Sequence, residues 1–271
     1  MQPCIHQAII DLEECKQALL KIKVFVLGLI TVLAMHIPDS YASRDIEAET
    51  LYFDMGMEGG WVPFHTGAET GRKGLLIDLA DAIQAETGIQ FTAVHFPPKR
   101  AEKALVDGIV DFDFVCLEWL KENKPGEKFV ATNPFFEITE HLVTLKENKH
   151  LFPTRESMFG KTVGTIAGYF YFDDNEFIRT DFLNENSLIL GLKSDRFKVA
   201  ILERETAKYW ASRNNVNIAF SALHTSGKLV MRLRIEHDHL LPLLNQSIKT
   251  LKDSGVLQAI LDNHGVDSKI F

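Results

Sequence analysis

Cysteine is scarce in this chain of 271 residues: Cys4, Cys15 and Cys116 are the whole supply. Two of the three precede the cleavage point argued below, which leaves Cys116 alone and excludes an intramolecular disulfide, so packing must hold the fold. Cys116 has no base near it in sequence to make it a nucleophile, and a buried strand cysteine is the expectation. No internal repeat and no low-complexity tract occurs, which argues against solenoids and arrays. After Ala42 no apolar run approaches the roughly 20 residues that a membrane-crossing helix needs. Excess positive charge is lacking too. Lys and Arg number 29 against 37 Asp and Glu, a net charge of −8, and such a surface disfavours nucleic acid and anionic lipid. His237-Asp238-His239 offers two imidazoles with no third ligand nearby, and reads as a polar opening to the last helices rather than a metal site. No cofactor or metal is expected.

What is present begins with a leader. Val24 to Met35 is a twelve-residue apolar stretch preceded by Lys21 and Lys23, and Ser40-Tyr41-Ala42 closes the segment with small-x-small spacing. A basic flank, a short apolar core and a small-residue site suit a secretory signal peptide better than a span. Residues 1–42 are therefore expected to be a leader, cleaved near Ala42, and the working protein to start near Ser43 in the periplasm. No cysteine follows the apolar core at the cleavage site, so a lipid anchor is not expected. Asp11, Glu13 and Glu14 sit where such a leader wants positive charge. A start at Leu20 would remove them. The rival reading is an uncleaved anchor.

Beyond the leader, strands and helices alternate. Thr50 to Met55 reads as a strand, and Leu76, Leu79, Ala80 and Ile83 fall at helical spacing up to Gly88. Phe91 to Phe96 is a second strand, the segment after Pro97-Pro98 a second helix, and Val110 to Cys116 a third strand. Consecutive β-α-β-α-β units signal a parallel sheet. A polar loop over 121–128 and an extended run over 138–145 lead to a second alternation: a strand at TVGTIA, a helix over 173–182, a short helix over 187–192, a strand over 197–202, a helix over 203–210 and a strand over 216–220. Two helices end the chain, one up to Gly255 and one up to Gly265. Two α/β units in series suggest two lobes with a cleft between them, where ligands favour binding.

The strings LYFDMGMEGGWVPF, GLLIDLADAIQAETGIQF, KRAEKALVDGIVDFDF, FGKTVGTIAGYFY and SIKTLKDSGVLQAILDNHG, in this order and spacing, resemble bacterial extracellular solute-binding proteins of family 3 over about residues 48–266. The resemblance implies an α/β, two-lobed periplasmic-binding-protein fold of class II, each lobe a mostly parallel sheet flanked by helices. Residues 43–140 would form the first part of lobe 1, 141–224 lobe 2, and 225–271 the return to lobe 1 with the terminal helices. It further implies a monomeric receptor that captures a small polar solute, amino-acid-like or amine-bearing, for the permease of an ABC-type uptake system. The alternatives are a ligand-sensing receptor for a signalling partner and a periplasmic enzyme of dehydratase type on the same scaffold. The extended crossings near 138–145 and 220–228 would act as hinges. One departure stands out. By position, Glu118 replaces the family's carboxylate-clamping threonine and Asn123 its arginine, which puts an ordinary α-amino acid in doubt.

Nine residues are candidates for the binding site. Glu118 follows an apolar strand at the edge where open α/β sheets present ligand groups, and would favour a cation; otherwise it is a surface acid. Trp119 is either a cation-π face or a packed lobe residue. Arg100 opens a helix and is either an anion anchor or a surface ion-pair partner. Gly168 and Tyr169 lie in a turn ahead of the expected helix, whose exposed amides and aromatics suit a ligand, or pack inward. Glu203 ends a strand and matches by position the family's acceptor for the ligand's amino group; alternatively it is a favourable acid in a helix's first turn. Tyr52, Trp61 and Phe64 resemble the family's aromatic floor, with at least one of them expected in the core.

Overall fold

The structure, a computed structural model, describes residues 49–56, 60–66 and 71–271. The expected leader and its cleavage site lie outside the described residues.

β1 (Thr50–Asp54), α1 (Leu75–Thr87), β2 (Gln90–Val94), α2 (Pro98–Val106) and β3 (Phe112–Cys116) follow one another as the sequence pattern predicts. β1 lies parallel to both β2 and β3. Burial on α1 falls on Leu75, Leu76, Leu79, Ala80 and Ile83, one face of a 3.6-residue repeat. Gly88 stops it in the left-handed region at φ 78°, where other residues would be strained. Phe53 stacks on Phe112 at 5.0 Å beneath this helix, in a core completed from the far end of the chain by Leu244 and Ile248 on α5 (Leu241–Asp253) and Leu257 on α6 (Val256–Asn263). Truncating a buried side chain of this size costs about 3 to 5 kcal/mol.

The second lobe is built from β6 (Thr162–Ile166), β7 (Ile178–Phe182), α3 (Glu185–Lys193), β8 (Val199–Glu203) and α4 (Arg204–Arg213). β6 runs parallel to β7 and β8, and its cores gather Leu188, Leu192, Phe197 and Trp210 in one cluster and Leu142, Met158, Val163 and Ile201 in another.

Two strands join the lobes. β5 (Glu137–Leu145) and the seventeen-residue β9 (Ile218–Arg234) pair antiparallel along most of their length. β9 pairs with β3 at one end, so among the described residues the strand order β2-β1-β3-β9-β5-β8-β6-β7 is unbroken, with β4 (Phe129–Ala131) also on β9. The β5–β9 register slips between Glu140, opposite Thr225, and His141, opposite Leu223, which leaves His224 as an extra, bulged residue.

Three elements differ from expectation. Residues 173–182 do not form a helix. Asp174 N donates to Tyr171 O and Glu176 N to Asp173 O in successive turns, after which Ile178 to Phe182 form an edge strand on β6; Asp and Asn favour such turns over helix interiors. The expected strand over 216–220, from Ile218 onward, and the extended crossing over 220–228 belong to the single strand β9. β4 has only three residues, too few for a periodicity to register.

The lobes touch at defined points. Trp210 Nε1 donates to Gly60 O at 2.9 Å, and Val62, from the loop after β1, joins the core cluster around Trp210. Gly168, at φ 94°, lies so near the start of α2 that a Cβ there would stand 2.6 Å from Lys99 N.

Candidate functional site

Between these contacts lies a cavity of about 190 Å³ whose walls come from both lobes. Its aromatic side is a ladder that descends into lobe 1. Trp119 meets Trp61 edge-on at 6.0 Å, Trp61 stacks on Phe64 at 4.5 Å, and Phe64 lies over Phe136 at 6.3 Å. Trp61 and Trp119 line the cavity; Phe64, fully buried, supports them from below.

The polar side is acidic. Asp54 ends β1, where its Oδ1 accepts from Phe96 N at 2.8 Å and Gly56 N at 3.1 Å, and burial pushes its pKa up against those bonds. Glu102 and Asp113 share Arg232, whose guanidinium lies 2.7 and 2.6 Å from them. From lobe 2 come Glu140, Glu185 and Glu203, each more than nine-tenths buried. Glu140 on β5 and Glu203 on β8 are paired residues across the antiparallel ladder, where like charges directly opposite each other are destabilising.

Each of the three has a local support. Glu203 caps α4, accepting from Glu205 N at 2.9 Å and Thr206 N at 2.7 Å, yet burial pushes its pKa up to about 7. Glu185, in the first turn of α3, accepts from Tyr169 OH at 2.7 Å and is likewise raised by burial to about 7. Glu140 faces His224 Nδ1 at 3.4 Å, and His224 Nε2 bonds Asp173 at 3.0 Å. Burial pulls the His224 imidazolium down, but the bonds to Asp173 and Glu140 outweigh it and hold its pKa at about 9. His65 is the one basic side chain in the cavity lining among the described residues.

Of the nine candidates, Trp61, Trp119, Gly168, Tyr169 and Glu203 line the cavity together. The other four lie outside its lining for evident reasons. Tyr52 points away from the core on β1 and is exposed. Phe64 is a core residue. Arg100 is exposed on α2. Glu118 is turned toward β9, where its Oε2 accepts from Lys228 N at 2.9 Å. Asp54, Glu140 and Glu185 were not among the candidates. Asp54 had a signal, as the last residue of a strand at the ligand-bearing edge. Glu140 had another, since Ile138, Glu140 and Leu142 share one face of β5.

This arrangement can hold a small cation by charge-assisted hydrogen bonds and cover it with indole faces. Among the described residues no group of three His, Cys, Asp or Glu side chains could hold a metal ion, and no helix is long and apolar enough to cross a membrane.

The profile of bacterial extracellular solute-binding proteins, family 3, matches residues 53–267. No curated protein sequence matches the chain. Among solved structures, an amino acid ABC transporter substrate-binding protein from Streptococcus pneumoniae bound to L-arginine is similar at a TM-score of 0.66 and 17% identity, covering 80% of this chain and 95% of that one. A substrate-binding protein of an ABC uptake transporter from the same organism, with bound histidine, gives 0.65 at 22% identity over 81% and 94%. A mutant of ArgBP from T. maritima gives 0.65 at 22% identity over 78% and 94%. At these identities the likeness is one of fold.

Proposed function

This chain belongs to the bacterial extracellular solute-binding proteins of family 3, and from that premise we propose that it is a periplasmic receptor that closes its two lobes around an amine-bearing cation and presents the closed form to an ABC-type permease. The observation that carries the reading is the facing pair Glu140 and Glu203 in the cavity wall. Buried like charges at adjacent ladder positions cost stability, and a bound cation relieves that cost. The arginine and histidine held by the similar proteins from Streptococcus pneumoniae are also nitrogen-rich solutes, which supports the same direction.

Trp61, Trp119, Gly168, Tyr169 and Glu203 would serve the solute directly, joined by Asp54, Glu140 and Glu185. The solute leaves unaltered: selection comes from contacts that both lobes make only when closed. The receptor acts as a monomer, released from its leader near Ala42.

Thermal-shift and calorimetric screening of the protein beginning at Ser43 tests this. Cationic amines should raise the melting temperature and bind with a 1:1 stoichiometry, while neutral sugars and dicarboxylates should not. Binding of the latter in place of amines, or turnover of any amine, would overturn the reading.

A further inference from the structure

The cavity holds more carboxyl groups than one ammonium can meet. Arg232 spreads its single charge over Glu102 and Asp113, and His224 is divided between Glu140 and Asp173. Asp54 on the lobe 1 wall, with Glu185 and Glu203 on the lobe 2 wall, has no ion-pair partner among the described residues. A zwitterion would leave that balance untouched. A monocation would leave most of it.

The places where a ligand carboxylate could dock are meanwhile filled. Helix N-termini are the usual anion sites, and four border this region. The first amides of α1 donate to Pro63 O at 3.0 Å and Phe64 O at 3.1 Å. The start of α2 is covered by the Gly168 turn. Asn184 caps α3, accepting from Ser187 N at 2.9 Å, and Glu203 caps α4. Anion receptors are thus used up within the protein, while carboxylates are left over, and no group of three His, Cys, Asp or Glu among the described residues could hold a metal ion.

Building on the amine reading above, we propose that the solute is a short diamine, a dication without a carboxylate, with one ammonium at Asp54 on lobe 1 and the other between Glu140, Glu185 and Glu203 on lobe 2. The methylene chain lies along Trp61 and Trp119. Closure is then itself the recognition step, because each lobe supplies the partner for one end.

Calorimetry on the mature protein with cadaverine, putrescine, lysine and butylamine decides it. Lysine differs from cadaverine only by its carboxylate, and butylamine from putrescine by one ammonium. Each diamine should bind at least about tenfold more tightly than its counterpart, a gap of about 1.4 kcal/mol. Lysine equal to cadaverine, or butylamine equal to putrescine, overturns the diamine while leaving the amine receptor intact; no binding by any of the four overturns both. Asp54→Asn and Glu140→Gln, each checked for an unchanged circular dichroism spectrum, should each weaken putrescine by about tenfold or more and butylamine by less. Equal losses for the two ligands in both variants would also overturn it.

Discussion

Glu140 and Glu203 stand opposite each other on adjacent antiparallel strands, both more than nine-tenths buried, one steadied by His224 and the other by the N-terminus of α4. Each carboxylate has its own support in the empty protein, but their juxtaposition costs stability, and a cation between them would relieve that cost.

Affinity for a cation should therefore depend on pH. Glu185 and Glu203, held at about 7 by burial, carry protons in the empty cavity below that pH and must shed them to grip an ammonium. Affinity should fall by up to about tenfold per pH unit per proton as pH drops from 7 to 5.5. Calorimetry in buffers of different ionisation enthalpy should register protons released on binding near pH 6.5; heats independent of buffer would count against the linkage.

Glu185→Gln should stabilise the empty protein at pH 8. A carboxyl whose folded pKa is raised from 4.5 to about 7 contributes stability that is full below 4.5 and lost as pH rises through 7. The variant escapes that loss, so its melting advantage should grow from pH 5 to pH 8, to about 1 to 3 kcal/mol. A pH-independent difference between the two proteins would contradict this.

His224→Gln should show the reverse. The imidazolium, pKa about 9, is enclosed by Glu140 from β5, Asp173 and Tyr171 from the loop after β6, with Arg155 3.8 Å from Asp173. Its contribution is full below 6.5 and is lost as pH rises through 9. Denaturant titrations should find the variant about 3 kcal/mol less stable at pH 6 and closer to the parent at pH 9.5.

Gly168→Ala should hinder closure without unfolding either lobe. The new methyl meets Lys99 N across the gap, at a positive φ that alanine tolerates poorly. Affinity for the ligand should fall about tenfold or more, and small-angle scattering with saturating ligand should show a wider particle than the parent. An unchanged affinity would mean that the contact is not part of the bound state.

Glu118→Gln should leave amine affinity within about twofold of the parent. Its carboxylate is engaged with Lys228 N on β9, and the change should cost stability of about 1 kcal/mol.

The first lobe is legible in the sequence because its elements carry strong, clean periods: the α1 face from Leu75 to Ile83, the alternation of β1, the proline pair before α2. β7 is not legible, because Asp173, Asp174 and Asn175 resemble a helix start and Ile178 to Phe182 is too short to outweigh it. The length of β9 was hidden by Gly227 and by the polar stretch His224-Thr225-Ser226, which looks like a loop but whose Thr225 and Ser226 are paired with β5. At the site, Glu203 was legible as the end of a strand. Glu118 follows β3 by two residues, and which way its side chain turns depends on β9, more than a hundred residues later. Glu185 has no local sign at all, since an acid in a helix's first turn is what any exposed helix would carry.

The bulge at His224 gives the molecule a preferred place to flex. A ribbon of two long paired strands resists bending wherever its ladder is regular, and yields most easily where the register slips, as it does at His224 and again between His141 and Val143. His224 sits directly behind Glu140, a carboxylate of the cavity wall, so the break in the ladder and the lining of the pocket share one ion pair.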